Sequence, residues 1–211
     1  MLEETGARPS EFFAAEITRE LPRFGLSFEE PTVLALSRYL AELDMWRRRT
    51  NLTGPMAAEE LVSHTLESIL GEKLISHGAR LIDIGSGAGL PGFPLAIARP
   101  DLAVTLLEPR GKRAAFLRHA SRAVPVENAR VLEDRVEKLG VADYDVATVR
   151  ALGGLAERIA GAPFLVAGGA LLAWTTEAGS LQAGLAKVFR LETAVAVPGS
   201  RQRVVALLRK L

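Results

Sequence analysis

The 211-residue chain has no cysteine at all. That excludes a disulfide framework, a thiolate metal site and an iron–sulfur cluster. Histidine is almost as scarce. His64, His77 and His119 are the only three, and their spacing matches no metal-ligand pattern, so no metal is expected. Long apolar runs are missing too: the longest, residues 164–174, is too short to span a bilayer and contains two glycines. The first four residues, Met-Leu-Glu-Glu, are acidic where a secretory leader is basic. A cytoplasmic protein with no membrane partner is therefore expected; a monomer is expected too, although nothing in the sequence fixes the oligomeric state.

What is present is a chain long enough, at 48% hydrophobic, for one full α/β core and an appendage. Net charge is only +1, but residues 1–78 carry 13 acidic and 8 basic groups while residues 79–211 carry 12 and 18. A basic second half suits a polyanionic partner such as RNA. With 21 of the 26 basic residues being arginine, genome base composition explains the excess equally well.

Apolar spacing predicts helices over 11–22, 31–47 and 57–76, with Leu34, Leu36, Tyr39, Leu40, Leu43 and Trp46 as one apolar face. From Arg80 the pattern changes to alternating strands (80–84, 103–108, 129–132, 145–149, 170–174, 192–197, 203–209) and helices (93–99, 111–123, 152–160, 179–186). The early, almost continuously apolar strands indicate a parallel sheet covered on both faces. The last two, joined around Pro198-Gly199-Ser200, indicate an antiparallel hairpin. The expected fold is α/β: a doubly wound, seven-stranded, Rossmann-like sheet (77–211) carrying an N-terminal helical extension (1–76).

Residues 81–92 read Leu-Ile-Asp-Ile-Gly-Ser-Gly-Ala-Gly-Leu-Pro-Gly. A short strand ends in a carboxylate and runs into a glycine turn including Gly85, Gly87 and Gly89, where a ligand can approach the backbone closely. Asp83 stands just ahead of the glycines and would attract a cationic ligand and repel a pyrophosphate. Pro91 and Pro94 remove amide donors that a pyrophosphate would use. The turn is therefore read as a site for S-adenosylmethionine, which carries an ammonium and a sulfonium. Dinucleotide binding and a glycine turn without a ligand remain open, because the G-x-G-x-x-G string is a weak signal alone. On this reading Asp83→Lys abolishes cofactor binding and leaves the fold largely intact.

In open α/β sheets the ligand lies beyond the carboxyl ends of the strands. That rule gathers Asp83 and the glycine turn, Glu108, the segment Asp134 to Glu137, Arg150 and the end of the fifth strand. Arg110, Lys112, Arg113 and Arg118 open the helix after the second strand, as phosphate contacts or as a solvated face. Arg47, Arg48 and Arg49 close a helix before Asn51; they serve either RNA phosphates or the helix dipole. Asn51 is a substrate-side candidate, since a loop amide both donates and accepts. His64 is read first as a structural residue.

Several pieces then occur in a specific order: Asn51-Leu52-Thr53, His64 to Ser68, Asp83 to Pro94, Leu107 to Arg113, Phe116 to Arg118, Arg135 to Glu137 and Arg150-Ala151. This set covers roughly residues 30–155 and resembles the bacterial small-subunit rRNA guanine-N7 methyltransferases, the glucose-inhibited division protein B family. The resemblance implies methyl transfer from S-adenosylmethionine to N7 of one guanine in 16S ribosomal RNA, free or in the small ribosomal subunit. It also implies cofactor contacts at Gly85, Leu90, Val136, Glu137 and Arg150, with Glu108 at the ribose. The chemistry fits the missing cysteine, since guanine N7 has an exposed lone pair and needs neither a nucleophile nor a general base. Alignment carries the catalysis, and Arg150 is expected to orient cofactor or base through its fork of donors. The chain departs from the family pattern at Thr176-Glu177, usually Lys-Gly, and at Gln202-Arg203, usually Arg-His. A non-catalytic RNA-binding protein on a relic cofactor fold is the alternative those departures motivate.

Overall fold

The computed structural model describes residues 6–141, 143–150, 158–159, 161–176 and 178–211. Three helices come first: α1 (Ser10–Phe24), α2 (Glu30–Arg47) and α3 (Ala58–Ile69). On α2, Leu36, Tyr39, Leu40 and Leu43 are buried, as their spacing requires. Leu34, expected on the same face, is exposed. At roughly 100° per residue it stands half a turn away from Leu43. α3 is shorter than expected because Gly71 interrupts it and a 3₁₀ turn, Glu72–Leu74, follows. A Cβ on Gly71 would lie 2.7 Å from Leu172, so this break lets the helix end dock closely on the sheet.

Seven strands form one sheet: β1 (Arg80–Ile84), β2 (Ala103–Leu107), β3 (Ala129–Leu132), β4 (Tyr144–Arg150), β5 (Leu165–Thr175), β6 (Phe189–Ala196) and β7 (Val204–Lys210). Their order is β3-β2-β1-β4-β5-β7-β6. The first five are parallel, and β7 runs antiparallel to both β5 and β6, so the C-terminal hairpin is present. β5 begins earlier than the strand expected at 170–174, because Gly168 (φ +68°) and Gly169 carry it through an irregularity opposite β4. Helices α4 (Gly92–Ala98), α5 (Gly111–Ala123) and α6 (Ala178–Leu185) lie between strands. The helix expected at 152–160 falls largely outside the described residues, as does Glu177.

Strand alternation divides the core in two. Leu81, Val104, Leu106, Val146 and Leu172 share one apolar cluster with Phe13, Leu36, Tyr39 and Leu66 of the N-terminal helices and Phe93 of α4. Ile82, Ile84, Ala147, Leu171 and Ala173 belong to the cluster on the opposite face. The same parity turns Asp83, Thr148 and Arg150 toward the face that α2, α3 and α4 cover. The strand order reverses between β2-β1 and β4, which is where a doubly wound sheet opens its crevice.

Candidate active site

A cleft of about 810 Å³ opens at that reversal. Its wall comes from the glycine turn (Gly85, Ser86, Gly87, Ala88, Leu90), from Glu108 after β2, from Val136 and Glu137 after β3, and from Arg150 at the end of β4. His64, Thr53 and Met56 close it from the N-terminal helices.

Most of the turn's backbone donors are spent inside the protein. Gly85 and Ser86 N–H donate to the Leu107 carbonyl (2.8 and 3.0 Å), and Gly87 N–H donates to Glu108 Oε2 (2.9 Å). Gly89 N–H goes to the Ser86 carbonyl, Gly92 N–H to Asp83 Oδ2 and Phe93 N–H to the Gly89 carbonyl. An oxyanion entering here would find few of the amides that make a phosphate nest. The turn thus disfavours phosphate, though not through the residue the sequence reading chose.

Asp83, expected to face a cationic ligand, does not line the cleft. It is fully buried, accepting hydrogen bonds from the Thr148 hydroxyl (2.8 Å) and Gly92 N–H (3.2 Å). Thr148 is its register partner on β4. Burial pushes its carboxyl up to about 6, against the hydrogen bonds that favour the charged form, and Glu108 adds to the rise. Gly89 is likewise absent from the cleft wall. A Cβ there would come within 3.0 Å of the Tyr39 hydroxyl and 3.1 Å of Phe93 Cβ, so packing against α2 and α4 requires the glycine. Gly92 has no room for a side chain either: a Cβ would lie 2.6 Å from both Asp83 Cβ and Leu106 Cδ2.

Glu108 takes the place expected of Asp83. Its side chain is almost wholly buried yet lines the cleft, and it accepts from Gly87 N–H and, through Oε1, from Arg110 N–H (2.9 Å). Each carboxylate oxygen has a second lone pair to offer a ligand hydroxyl. Val136 adds a buried apolar surface, and the exposed Glu137 pairs with Arg158 at 3.2 Å. Among the described residues no cluster of three or more His, Asp or Glu side chains could hold a metal ion.

Arg150 is more heavily engaged than a free orienting fork would be. Nη1 donates to the His64 carbonyl (2.9 Å) and Ser68 hydroxyl (3.1 Å); Nη2 donates to Glu67 Oε2 (3.0 Å) and lies 2.7 Å from His64 Nδ1. Four of a guanidinium's five donors are thereby committed to α3, and only Nε–H is left. A guanidinium cannot accept, so His64 Nδ1 accepts from it and the ring proton sits on Nε2. Glu67 is the buried hub of this cluster, ion-paired with both Arg150 and Arg203. Burial pushes its carboxyl up, but the guanidiniums of Arg150 and Arg203 beside it outweigh that and hold it below the usual range. The Trp174 indole N–H fixes the Glu67 backbone carbonyl at 2.7 Å. Arg203 is thus held by a protein carboxylate, although 39% of its side chain is exposed.

The RNA-side candidates separate. Arg110 and Arg113 line the cleft. Lys112 is exposed on α5 outside it, and Arg118 is tied to Glu133 at 2.7 Å. Asn51 lies in a neighbouring groove of the α2–α3 loop. The sequence reading did not single out Tyr39, which is fully buried, donates to the Ala88 carbonyl (2.7 Å) and stacks on Phe93. Burial pushes its phenol above the ordinary range, and Asp83 adds to this. The one available signal was a hydroxyl-bearing ring among the aliphatic residues of a buried face.

Comparison with known proteins agrees with this architecture. A solved S-adenosylmethionine-dependent methyltransferase from Aquifex aeolicus has a TM-score of 0.56 at 13% identity, covering 70% of this chain and 90% of that one. A fibrillarin/Nop5p complex gives a TM-score of 0.56 at 16% identity, covering 70% and 80%. These likenesses show the methyltransferase fold. By sequence, the ribosomal RNA small subunit methyltransferase G of Xanthomonas axonopodis pv. citri is 50% identical over 141 residues, 65% of this chain and 66% of that protein. This match therefore spans just under two thirds of that relative. The protein of the same name from Stenotrophomonas maltophilia K279a is 43% identical over 163 residues, 76% of each chain. The family model described as GidB, rRNA small subunit methyltransferase G, matches residues 33–180. The chain belongs to the rRNA small subunit methyltransferase G family.

Proposed function

We propose that the protein transfers a methyl group from S-adenosylmethionine to N7 of a guanine in 16S ribosomal RNA. The observation that carries this reading is the match to the rRNA small subunit methyltransferase G family over residues 33–180. The cleft at the sheet's reversal point supports it, with a wall suited to a cationic nucleoside: most amides of the turn satisfied, one buried carboxylate and an apolar face. When bound, S-adenosylmethionine supplies an electrophilic methyl carbon on a sulfonium.

Gly85, Gly87 and Leu90 form the floor under the cofactor, Glu108 accepts from its ribose, and Val136 and Glu137 flank its adenine. Arg150 is a positioning residue, fixing the β4 end against α3 and setting the tautomer of His64. Its Nε–H is the donor available to cofactor or base. Asp83 acts indirectly, by holding the turn through Gly92. Nothing on the protein side has to remove a proton, because N7 attacks with a lone pair. Arg110 and Arg113 hold RNA phosphates at the cleft, with Lys112 and Arg118 farther along α5 and Asn51 beside it.

We take the protein as a cytoplasmic monomer, with residues 1–76 as the helical extension of a methyltransferase unit at 77–211. No described helix is long and apolar enough to cross a membrane. Among the described residues the exposed large hydrophobics are Leu34, Met45, Val141 and Leu211, too few for an obligate interface. Calorimetry with S-adenosylmethionine, followed by radiolabelled transfer to undermethylated small subunits and mapping of N7-methylguanosine, tests the proposal. Cofactor binding with transfer to one 16S guanine is expected. Binding without transfer would favour the relic RNA-binding alternative, and binding of NADH instead would overturn the cofactor assignment.

A further inference from the structure

Beside the cleft, the α2–α3 loop encloses a second depression of about 840 Å³. Thr53 and Met56 line both, so the two spaces share a wall. Four arginines, Arg8, Arg47, Arg48 and Arg49, line the groove against a single carboxylate, Glu59. One more carboxylate, Asp44, is buried beneath. The surplus is two positive charges.

These arginines are employed differently. Arg47 is spent: Nε donates to Asp44 Oδ1 at 2.8 Å and Nη1 to the Met56 carbonyl at 2.7 Å. That contact fixes the loop. Arg48 donates to Asp44 Oδ2 at 3.1 Å, and 38% of its side chain is exposed. Arg49 is exposed, and no hydrogen bond or ion pair among the described residues holds its side chain. A helix dipole accounts for cations near a C-terminus, but not for an open groove between them. At the wall shared with the cleft, the Thr53 hydroxyl is buried without a hydrogen-bond partner among the described residues. Such a group costs stability unless something completes it.

We propose that this groove is a sugar-phosphate track for the RNA strand flanking the guanine in the cleft, with Arg48 and Arg49 as its phosphate contacts. Asn51 and Thr53 offer polar contacts to the same strand. The inference rests on the rRNA methyltransferase reading and adds where the substrate backbone runs. A single base presented to a cleft leaves its neighbouring phosphates to be held elsewhere. Arginine's planar fork suits phosphate oxygens. With Arg110 and Arg113 on α5, positive charge then reaches the strand from two separate elements.

Binding of in vitro transcribed, protein-free 16S rRNA, measured across a salt series, tests the track. Arg49→Glu is expected to weaken binding about tenfold or more near 0.1 M salt. Arg49→Ala is expected to lower the slope of log affinity against log salt by roughly 1. Arg49→Lys should retain most of the affinity, and S-adenosylmethionine affinity should stay at wild-type level in all three. Arg48→Ala, with its unfolding midpoint measured alongside, gives an independent second reading of the salt slope. If the Arg49 variants bind RNA with wild-type affinity and slope, the track is wrong. It is also wrong if their loss appears only with assembled subunits, since the groove would then dock a ribosomal protein. Wild-type protein that binds the cofactor but no RNA removes the functional reading and this inference together. An unaffected Arg49 variant of an active methyltransferase removes the inference alone.

Discussion

At the end of β4, Arg150 commits four donors to α3, whereas on the α2–α3 loop the side chain of Arg49 has no partner among the described residues. Both are arginines that line adjoining depressions, and they do opposite work. The first region is an interior truss in which every charge has a protein partner: Asp83 with Thr148 and Gly92, Glu67 with Arg150 and Arg203. The second is a solvent-facing lip where the Arg49 guanidinium has capacity left for a ligand. Interior groups should therefore report on stability, and lip groups on RNA affinity.

The largest effect expected is at Asp83. Replacement by lysine buries an unpaired cation and a longer side chain where Gly92 already touches Asp83 Cβ. A loss of about 4 kcal/mol or more is expected, enough to unfold many domains. Urea denaturation followed by circular dichroism would show it. A folded variant that had merely lost cofactor would return Asp83 to the role the sequence first assigned it.

Glu67→Ala comes next. It leaves Arg150 without its carboxylate in a largely buried site, and about 3–5 kcal/mol of stability should disappear. An unchanged denaturation midpoint would show that water replaces the carboxylate and that the truss is not closed.

The pH profile follows in size. Asp83 titrates near 6 in the fold and near 3.8 when unfolded, so the folded state binds the proton more tightly. Its contribution is fully present below about pH 4 and is lost as pH rises through 6, about 3 kcal/mol in all. Glu67 and Asp44 are held below their ordinary values, so their contributions are lost only at lower pH. Unfolding free energy should therefore decline between pH 4 and 6; a flat profile there would mean that the Asp83 carboxylate is hydrated.

The smallest expected change in stability belongs to the exposed arginines at the cleft mouth. Arg110→Ala should alter stability by less than about 0.5 kcal/mol while weakening RNA binding several-fold and flattening its salt dependence. A large stability loss there would erase the distinction between the two regions.

Much of this was legible in the sequence. Strands and helices of the sheet fall where apolar alternation and glycine breaks place them, with β1 and β3 matching to the residue and the C-terminal hairpin at its turn. Alternation along Leu81, Ile82, Asp83 and Ile84 even fixes that Asp83 shares a face with Leu81. What it does not fix is which face a distant segment covers. Arg150 and Glu67 are 83 positions apart, and only the docking of α3 turns an orienting arginine into a brace. Gly89 shows the same limit: a glycine needed for packing and one needed for a ligand have the same letter. Leu34 was misplaced by counting apolar residues without tracking their angle around α2.

The hydroxyl of Tyr39 reaches across 49 positions to hold the carbonyl of Ala88. The loop that opens the cleft is therefore clamped by a segment that precedes the sheet in the chain. Excising the sheet at residue 77 would remove that clamp and bare Phe93 and Leu117 to water, so the helical leader is part of the catalytic unit's own skeleton and not a detachable handle.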